Sequence, residues 1–136
     1  MIEIIMLSHG YYAKAMLESA QLIAGEQDHI CVFGLHLGDS VDRLREEVSK
    51  AVEKAQENGE EVLILTDMFS GSPFNVVVSL MQKYSFYHIT GINLPILLEI
   101  LMSRDSGTAE ELCKDVLEKA KDTIMYVNKF FEEMSQ

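Results

Sequence analysis

The chain has 136 residues, about half of them apolar, and a formal net charge of −11, which suits one domain with a real core. No apolar run approaches the eighteen or so residues of a membrane-spanning helix, and "MIEIIMLSHG" has neither the basic region nor the cleavage site of a secretory signal, so a cytoplasmic protein is expected. No basic cluster of the kind that holds nucleic acid is present, and Cys31 and Cys113 share no CxxC spacing, which argues against zinc or thioredoxin-type chemistry. Lysines and arginines alternate with glutamates in stretches such as "VDRLREEVSKAVEKAQENGE", the pattern of a solvated helix face.

Residues 2–7, "IEIIML", are a near-continuous apolar run of strand length, the mark of a strand buried on both faces. Ala13, Leu17, Ala20 and Ala24, with Met16 and Ile23, space a helix over 11–25 that ends at Gly25. Residues 30–37, "ICVFGLHL", read as the second strand, with Cys31 a small buried hydrophobe. Asp39 and Ser40 are N-cap candidates for a helix over 41–57. Its Val41, Leu44, Val48, Ala51 and Ala55 step by three and four before Asn58-Gly59 closes it.

"EVLILT" (61–66) is the third buried strand and "DMFSGSP" a loop. Three consecutive valines in "FNVVVSLMQKYS" favour a strand. Ser72-Pro73, however, supplies an N-cap before a proline at N1, and Val77, Leu80, Met81 and Tyr84 share one helical face, so a helix is expected there. "FYHITGI" (86–92) is the fourth strand, and Leu94-Pro95 opens the short helix "PILLEILMSR". Thr108 and Glu111 form a T-x-x-E capping box for a last helix through Leu112, Val116, Ala120 and Ile124; "TIMYV" (123–127) reads alternatively as an edge strand.

Strict β–α alternation with short connections predicts one doubly wound α/β domain over 1–136, with a mostly parallel sheet, helices on both faces and strand order 2-1-3-4. Ligands in such sheets bind beyond the carboxyl ends of the strands where the order reverses, between strands 1 and 3. The loop after strand 1 carries Ser8, His9 and Gly10; the loop after strand 3 carries Asp67 through Pro73. That order brings His9 and Asp67 to one crevice. A carboxylate accepting from Nδ1 fixes the imidazole tautomer and leaves Nε2 with a free lone pair, to act as base, metal ligand or nucleophile. "SGSPFN" adds flexible backbone at Gly71, a hydroxyl at Ser72 and the free N–H groups of a helix start, an anion-binding arrangement to which Gly10 can add a donor. Each of these features also has a plain structural use, as a cap, a packed ring or a turn.

"SHG", "TDMFSGSPFN" and "GINLPILLE" together resemble the enzyme IIA domain of the mannose family of the bacterial phosphoenolpyruvate-dependent sugar phosphotransferase system, from Ile2 to about residue 125. The resemblance implies a phosphocarrier. His9 would take a phosphoryl group on Nε2 from the phosphorylated histidine-containing phosphocarrier protein and pass it to an enzyme IIB domain, which serves sugar import through the membrane subunits IIC and IID. Asp67 would orient the His9 ring, Gly71 and Ser72 would stabilise the phosphoryl group, and Asn93, Leu94 and Pro95 would stand at the rim in a structural or partner-facing role. No metal or cofactor is implied; a homodimer is, with the C-terminal segment at the sheet or interface. The chain departs from many members in having Ser70-Gly71 where two glycines precede Ser-Pro, and Ala15 where glycine is common. A stand-alone IIA subunit without a following IIB domain is expected.

The related phosphotransfer subunit of dihydroxyacetone kinase shares the histidine chemistry but usually lacks the "GSPFN" loop. A hydrolase using His9 and Ser72 would want an arginine beside the histidine, where Ser8 and Gly10 stand. A phospho-aspartate receiver at Asp67 would need an acidic pair after strand 1 to hold magnesium, and "MLSHG" has none. His9, His36 and Asp67 are the alternative metal-ligand set; His29 and His88 have no partner legible in the sequence, and Tyr11 and Tyr12 are expected to divide between inward packing and a partner.

Overall fold

A computed structural model describes residues 1–135. Strands β1 (Glu3–His9), β2 (Ile30–Leu35), β3 (Val62–Thr66) and β4 (Tyr87–Thr90) form one sheet in the order β2-β1-β3-β4, every pairing parallel. The helices are α1 (Tyr12–Ala24), α2 (Val41–Glu57), α3 (Gly71–Leu80), α4 (Leu94–Ser103), α5 (Ala109–Ala120) and α6 (Val127–Met134). The doubly wound α/β fold with order 2-1-3-4 is therefore as the sequence pattern predicts.

The two faces of the sheet are sorted by strand parity. Ile4 and Met6 of β1, with Leu63 and Leu65 of β3, pack beneath α1, α4 and α5 through Ala13, Met16, Ala20, Leu97, Ile100, Leu112 and Val116. Ile5 and Leu7, with Val62 and Ile64, face α2 and α3 through Leu44, Val48, Val52, Val76, Val77 and Leu80. Successive side chains of a strand point to opposite faces, so a strand covered on both sides must be apolar throughout, as "IIML" is. Val76 and Val77 explain why the valine run is helical. Both are fully buried against the sheet, and that burial outweighs the few tenths of a kcal/mol that β-branching costs a helix.

Several boundaries differ from the sequence reading. β1 continues through His9, so the histidine ends the strand rather than standing in the following loop. α3 begins at Gly71 instead of after Ser72, because Gly71 takes a left-handed turn (φ +86°) that brings the chain into the helix early. Ser72 thus lies inside the first turn and caps nothing; Ser70 holds the N-cap position without a side-chain bond. The segment 123–127 is neither a continued helix nor an edge strand. The Thr123 hydroxyl donates to the Ala120 carbonyl (2.7 Å) and accepts from Asn93 Nδ2 (3.0 Å), closing α5 in a 3₁₀ turn over Lys121–Thr123. Residues 124–126 then make no ladder with any described strand, and α6 follows with Phe131 and Met134 exposed. Cys31 is only half-buried, and burial pushes its thiol up to about 11.

One glycine governs how closely β2 and the end of β1 approach. The Gly10 N–H donates to the Leu35 carbonyl (2.8 Å), and a Cβ on Gly34 would lie 2.3 Å from the Gly10 oxygen. Backbone cannot yield there as a flexible side chain could. Gly34→Ala is expected to lower the unfolding free energy by about 1–3 kcal/mol, checked by urea denaturation; an unchanged midpoint would show that the strand ends are free to separate.

Candidate functional site

His9 follows Ile5 and Leu7 in parity, so its ring turns toward the α3 side of the sheet. There it meets Gly71: a Cβ at that position would stand 3.0 Å from both Cε1 and Nε2 of the ring. A glycine is required at 71 twice over, by the left-handed turn and by this approach.

Asp67 comes into place through the ladder. The register pairs Leu7 with Thr66, so the residue after Thr66 lies alongside the end of β1. Asp67 Oδ2 accepts both the His9 backbone N–H (3.0 Å) and ring Nδ1 (2.8 Å), while Oδ1 accepts the Met68 N–H (3.1 Å). One carboxylate thus holds the ring and the backbone that carries it. The side chain of Asp67 is 12% exposed and that of His9 48%, so the orienting group is covered and the oriented ring is open. With Nδ1–H donated to Asp67, Nε2 carries the free lone pair and is directed at the start of α3.

The N–H groups of Gly71 and Ser72 make no hydrogen bond among the described residues, and Pro73 has none to offer. The first turn of α3 therefore presents unpaired donors and the positive end of the helix dipole beside Nε2. No bond joins the His9 ring to Ser72 among the described residues, and the serine–histidine pairing of a hydrolase is not formed. Gly10 does not serve as a donor, because its N–H is taken by Leu35. Its contribution is a left-handed turn (φ +52°) that leads from β1 into α1.

Some supporting residues were not foreseen. Ser8 is buried, accepts the Ala13 N–H (2.8 Å) and donates to the His9 carbonyl (3.1 Å). It does the work of an N-cap for α1, since Tyr11 at the cap position makes no side-chain hydrogen bond to the helix. A lone polar residue at the end of an apolar strand run is the signal that could have pointed to it. Beneath Asp67, the buried Thr66 hydroxyl donates to Thr90 Oγ1 (2.8 Å) and lies 2.8 Å from His88 Nε2. The His88 ring in turn packs against Phe74 (5.4 Å), and Phe74 against Phe69 (4.9 Å), so a stack of rings supports the loop that holds the open donors.

Asn93 Oδ1 accepts the Ile96 N–H (3.0 Å) as N-cap of α4, with Leu94 and Pro95 in its first turn, so this motif is structural here. Tyr12 donates to the Ile92 carbonyl (3.2 Å). The Tyr11 ring packs at a tilt against His36 at the rim (4.5 Å). His36 is directed there and not into a metal-ligand set with His9 and Asp67, whose donors do not gather into such a group among the described residues.

A parallel α/β protein that holds a carboxylate-clamped histidine against a helix start at its switch point is a recognisable class. Residues 3–117 match the family described as "PTS system fructose IIA component". The chain is 28% identical over 135 residues to the PTS system fructose-specific EIIA component of Bacillus subtilis, covering 98% of this chain and 92% of that protein. It is 30% identical over 125 residues to the PTS system mannose-specific EIIAB component of Escherichia coli K12, covering 90% of this chain but 38% of that longer protein. The crystal structure of phosphotransferase system component EIIA from Streptococcus agalactiae superposes with a TM-score of 0.87 at 29% identity, covering 95% of this chain and 99% of that one. The chain belongs to the mannose/fructose family of phosphotransferase-system IIA components.

Burial lowers the His88 pKa to about 4. The unfolded chain, with an ordinary histidine, takes up a proton in the range where the folded protein does not. This contribution to stability is complete above about pH 6.5 and is lost as pH falls toward about 4. Melting temperature is therefore expected to drop more between about pH 7 and pH 5 in the wild type than in His88→Gln; equal slopes would remove His88 as the cause.

Proposed function

We propose that this chain carries a phosphoryl group on His9 within the sugar phosphotransferase relay, as a cytoplasmic IIA subunit and a transferase. The donor is the phosphorylated histidine-containing phosphocarrier protein, and the acceptor an enzyme IIB that serves the membrane subunits IIC and IID. The observation that carries this reading is the double acceptance by Asp67 Oδ2, which leaves Nε2 as the free nitrogen in front of the unpaired Gly71 and Ser72 amides.

In this mechanism the Nε2 lone pair attacks phosphorus. The P–N bond of the donor breaks, its electron pair returns to the donor imidazole, and a new P–N bond forms at His9. The His9 ring keeps its Nδ1 proton, and the positive charge developing on it is met by the Asp67 carboxylate 2.8 Å away. The phosphoryl oxygens are received by the Gly71 and Ser72 amides, with the Ser72 hydroxyl beside them. Helix-terminus donors supply roughly 0.3–1 kcal/mol each, and up to about 2 when partly buried. Surface carboxylates more than about 8 Å away are largely screened, so a net charge of −11 is compatible with a bound dianion. The phosphoryl group arrives already activated, and the step needs no metal.

Transfer between two proteins requires a surface that closes around the phosphorus. Exposed Tyr11, Leu37, Met68 and Phe69 lie on the connections at the carboxyl ends of the strands and supply apolar cover for a partner. The exposed apolar residues of 124–134 support assembly into a homodimer.

Incubated with its phosphorylated cognate carrier, the wild type is expected to gain one acid-labile, base-stable phosphoryl group, and His9→Ala none. Asp67→Ala should slow transfer by about 10²-fold or more while the protein stays folded. A wild-type protein that stays unlabelled, or one labelled at a residue other than His9, would falsify this reading.

A further inference from the structure

At the opposite end of the sheet from His9, three side chains from separate segments converge. Glu3 opens β1, His29 precedes β2, and Glu60 precedes β3. His29 Nδ1 lies 3.1 Å from Glu60 Oε2 and 3.3 Å from Glu3 Oε2, and all three donor atoms fall within 4.8 Å of one another. A tetrahedral zinc ion with bonds of about 2.0–2.1 Å to nitrogen and oxygen has donors about 3.3 Å apart. The two measured edges have that length.

The roots of the three ligands are fixed by backbone. The Glu3 N–H donates to the Glu61 carbonyl (2.9 Å) and the Ile4 N–H to the His29 carbonyl (3.0 Å), so the sheet ladder holds all three segments in register. Arg104 is buried in the same corner. Its guanidinium donates to the His29 carbonyl (3.0 Å), the Gln27 Oε1 (3.1 Å) and the Asp28 carbonyl. Arg104 thus secures the loop that places His29, whose backbone sits in the left-handed region (φ +54°) without being a glycine. It makes no ion pair with Glu3 or Glu60 among the described residues.

Two carboxylates and one imidazole nitrogen are an unbalanced set. A single Nδ1–H can be donated fully to only one of two carboxylates, and no further cation closes on either within ion-pair distance among the described residues. The three donors border a cavity of about 450 Å³, also lined by Cys31, Lys54 and Asn58, which leaves room for water or a further ligand in the fourth position. One imidazole, two carboxylates and an open position make a zinc-type donor set.

We infer that Glu3, His29 and Glu60 form a binding site for a divalent transition-metal ion, of which zinc is the best-fitting. Glu3 and His9 are the first and last residues of β1, about 20 Å apart at strand rise, so this site is separate from the phosphoryl chemistry and does not rest on that reading. Bound there, the ion ties the start of β1 to the loops entering β2 and β3. Only the folded chain brings the three donors together, so binding stabilises the fold.

The test uses the full chain freed of metal and titrated with zinc alone. Calorimetry is expected to show one saturable site, and a zinc excess of about 100 times Kd should raise the melting temperature by about 5 °C or more. His29→Gln and Glu60→Gln should each weaken binding by about tenfold or more, while His9→Ala leaves it unchanged. Should a variant not fold, nitrogen NMR of the wild type decides, because zinc must move the His29 Nδ1 resonance. Absence of a saturable site, undiminished binding in both folded variants, or an unmoved His29 resonance overturns the assignment, leaving His29 as a hydrogen-bonded bridge between two glutamates.

Discussion

The parallel ladder between β1 and β3 bears on every other feature of the molecule. Its register pairs Leu7 with Thr66 at one end and Glu3 with Val62 at the other. In the middle it holds Ile4, Ile5, Met6, Leu63, Ile64 and Leu65, all fully buried, between two layers of helices. At the carboxyl end the same register sets Asp67 beside His9; at the amino end it sets Glu60 near Glu3. A slip of one residue would reverse the facing of every side chain on the strand. It would bury polar groups in one layer and take the His9 ring away from α3.

The carboxyl end is built so that rigidity and openness fall on different atoms. Asp67 is largely covered and uses both oxygens on the protein. Ser8 fixes the His9 carbonyl from the other face. Gly71 brings the α3 backbone against the ring without a side chain to obstruct it. What remains uncommitted is Nε2 and the first amides of α3. On the proposed reading, a nucleophile held by its far side and a set of donors aligned before the anion arrives would need little reorganisation when it does. The Thr66–His88 contact and the Phe74–Phe69 stack extend the support one layer deeper, under the loop that carries those amides.

Much of this was legible in the sequence because it depends on period and order. Continuous apolar strands alternating with helices at three-and-four spacing imply a parallel sheet. The order 2-1-3-4 then directs attention to the ends of strands 1 and 3, where His9, Asp67 and the Gly71-Ser72 turn stand. Thr108 caps α5, and Ser40, one of two candidates beside Asp39, caps α2; both were legible from neighbouring residues alone. The features that escaped depend on groups far apart in the chain. Gly34 is a glycine because of the Gly10 oxygen, the buried Thr66 hydroxyl meets the His88 ring, and Arg104 serves a loop about 75 residues earlier. The 123–127 segment escaped for the same reason, since the Asn93 side chain holds Thr123 in the 3₁₀ turn that closes α5.

Local periodicity and turn chemistry therefore decided which elements form, and the family motifs marked which residues gather at the switch point. Tertiary structure alone decided how those residues are used. It gave the Gly10 amide to Leu35 instead of to a ligand, and made Asn93 a helix cap. It also placed His29 between two glutamates. The physical reason is that a hydrogen-bond donor has a choice of acceptors until the chain is packed. Burial and register then leave it only the partners within about 3 Å.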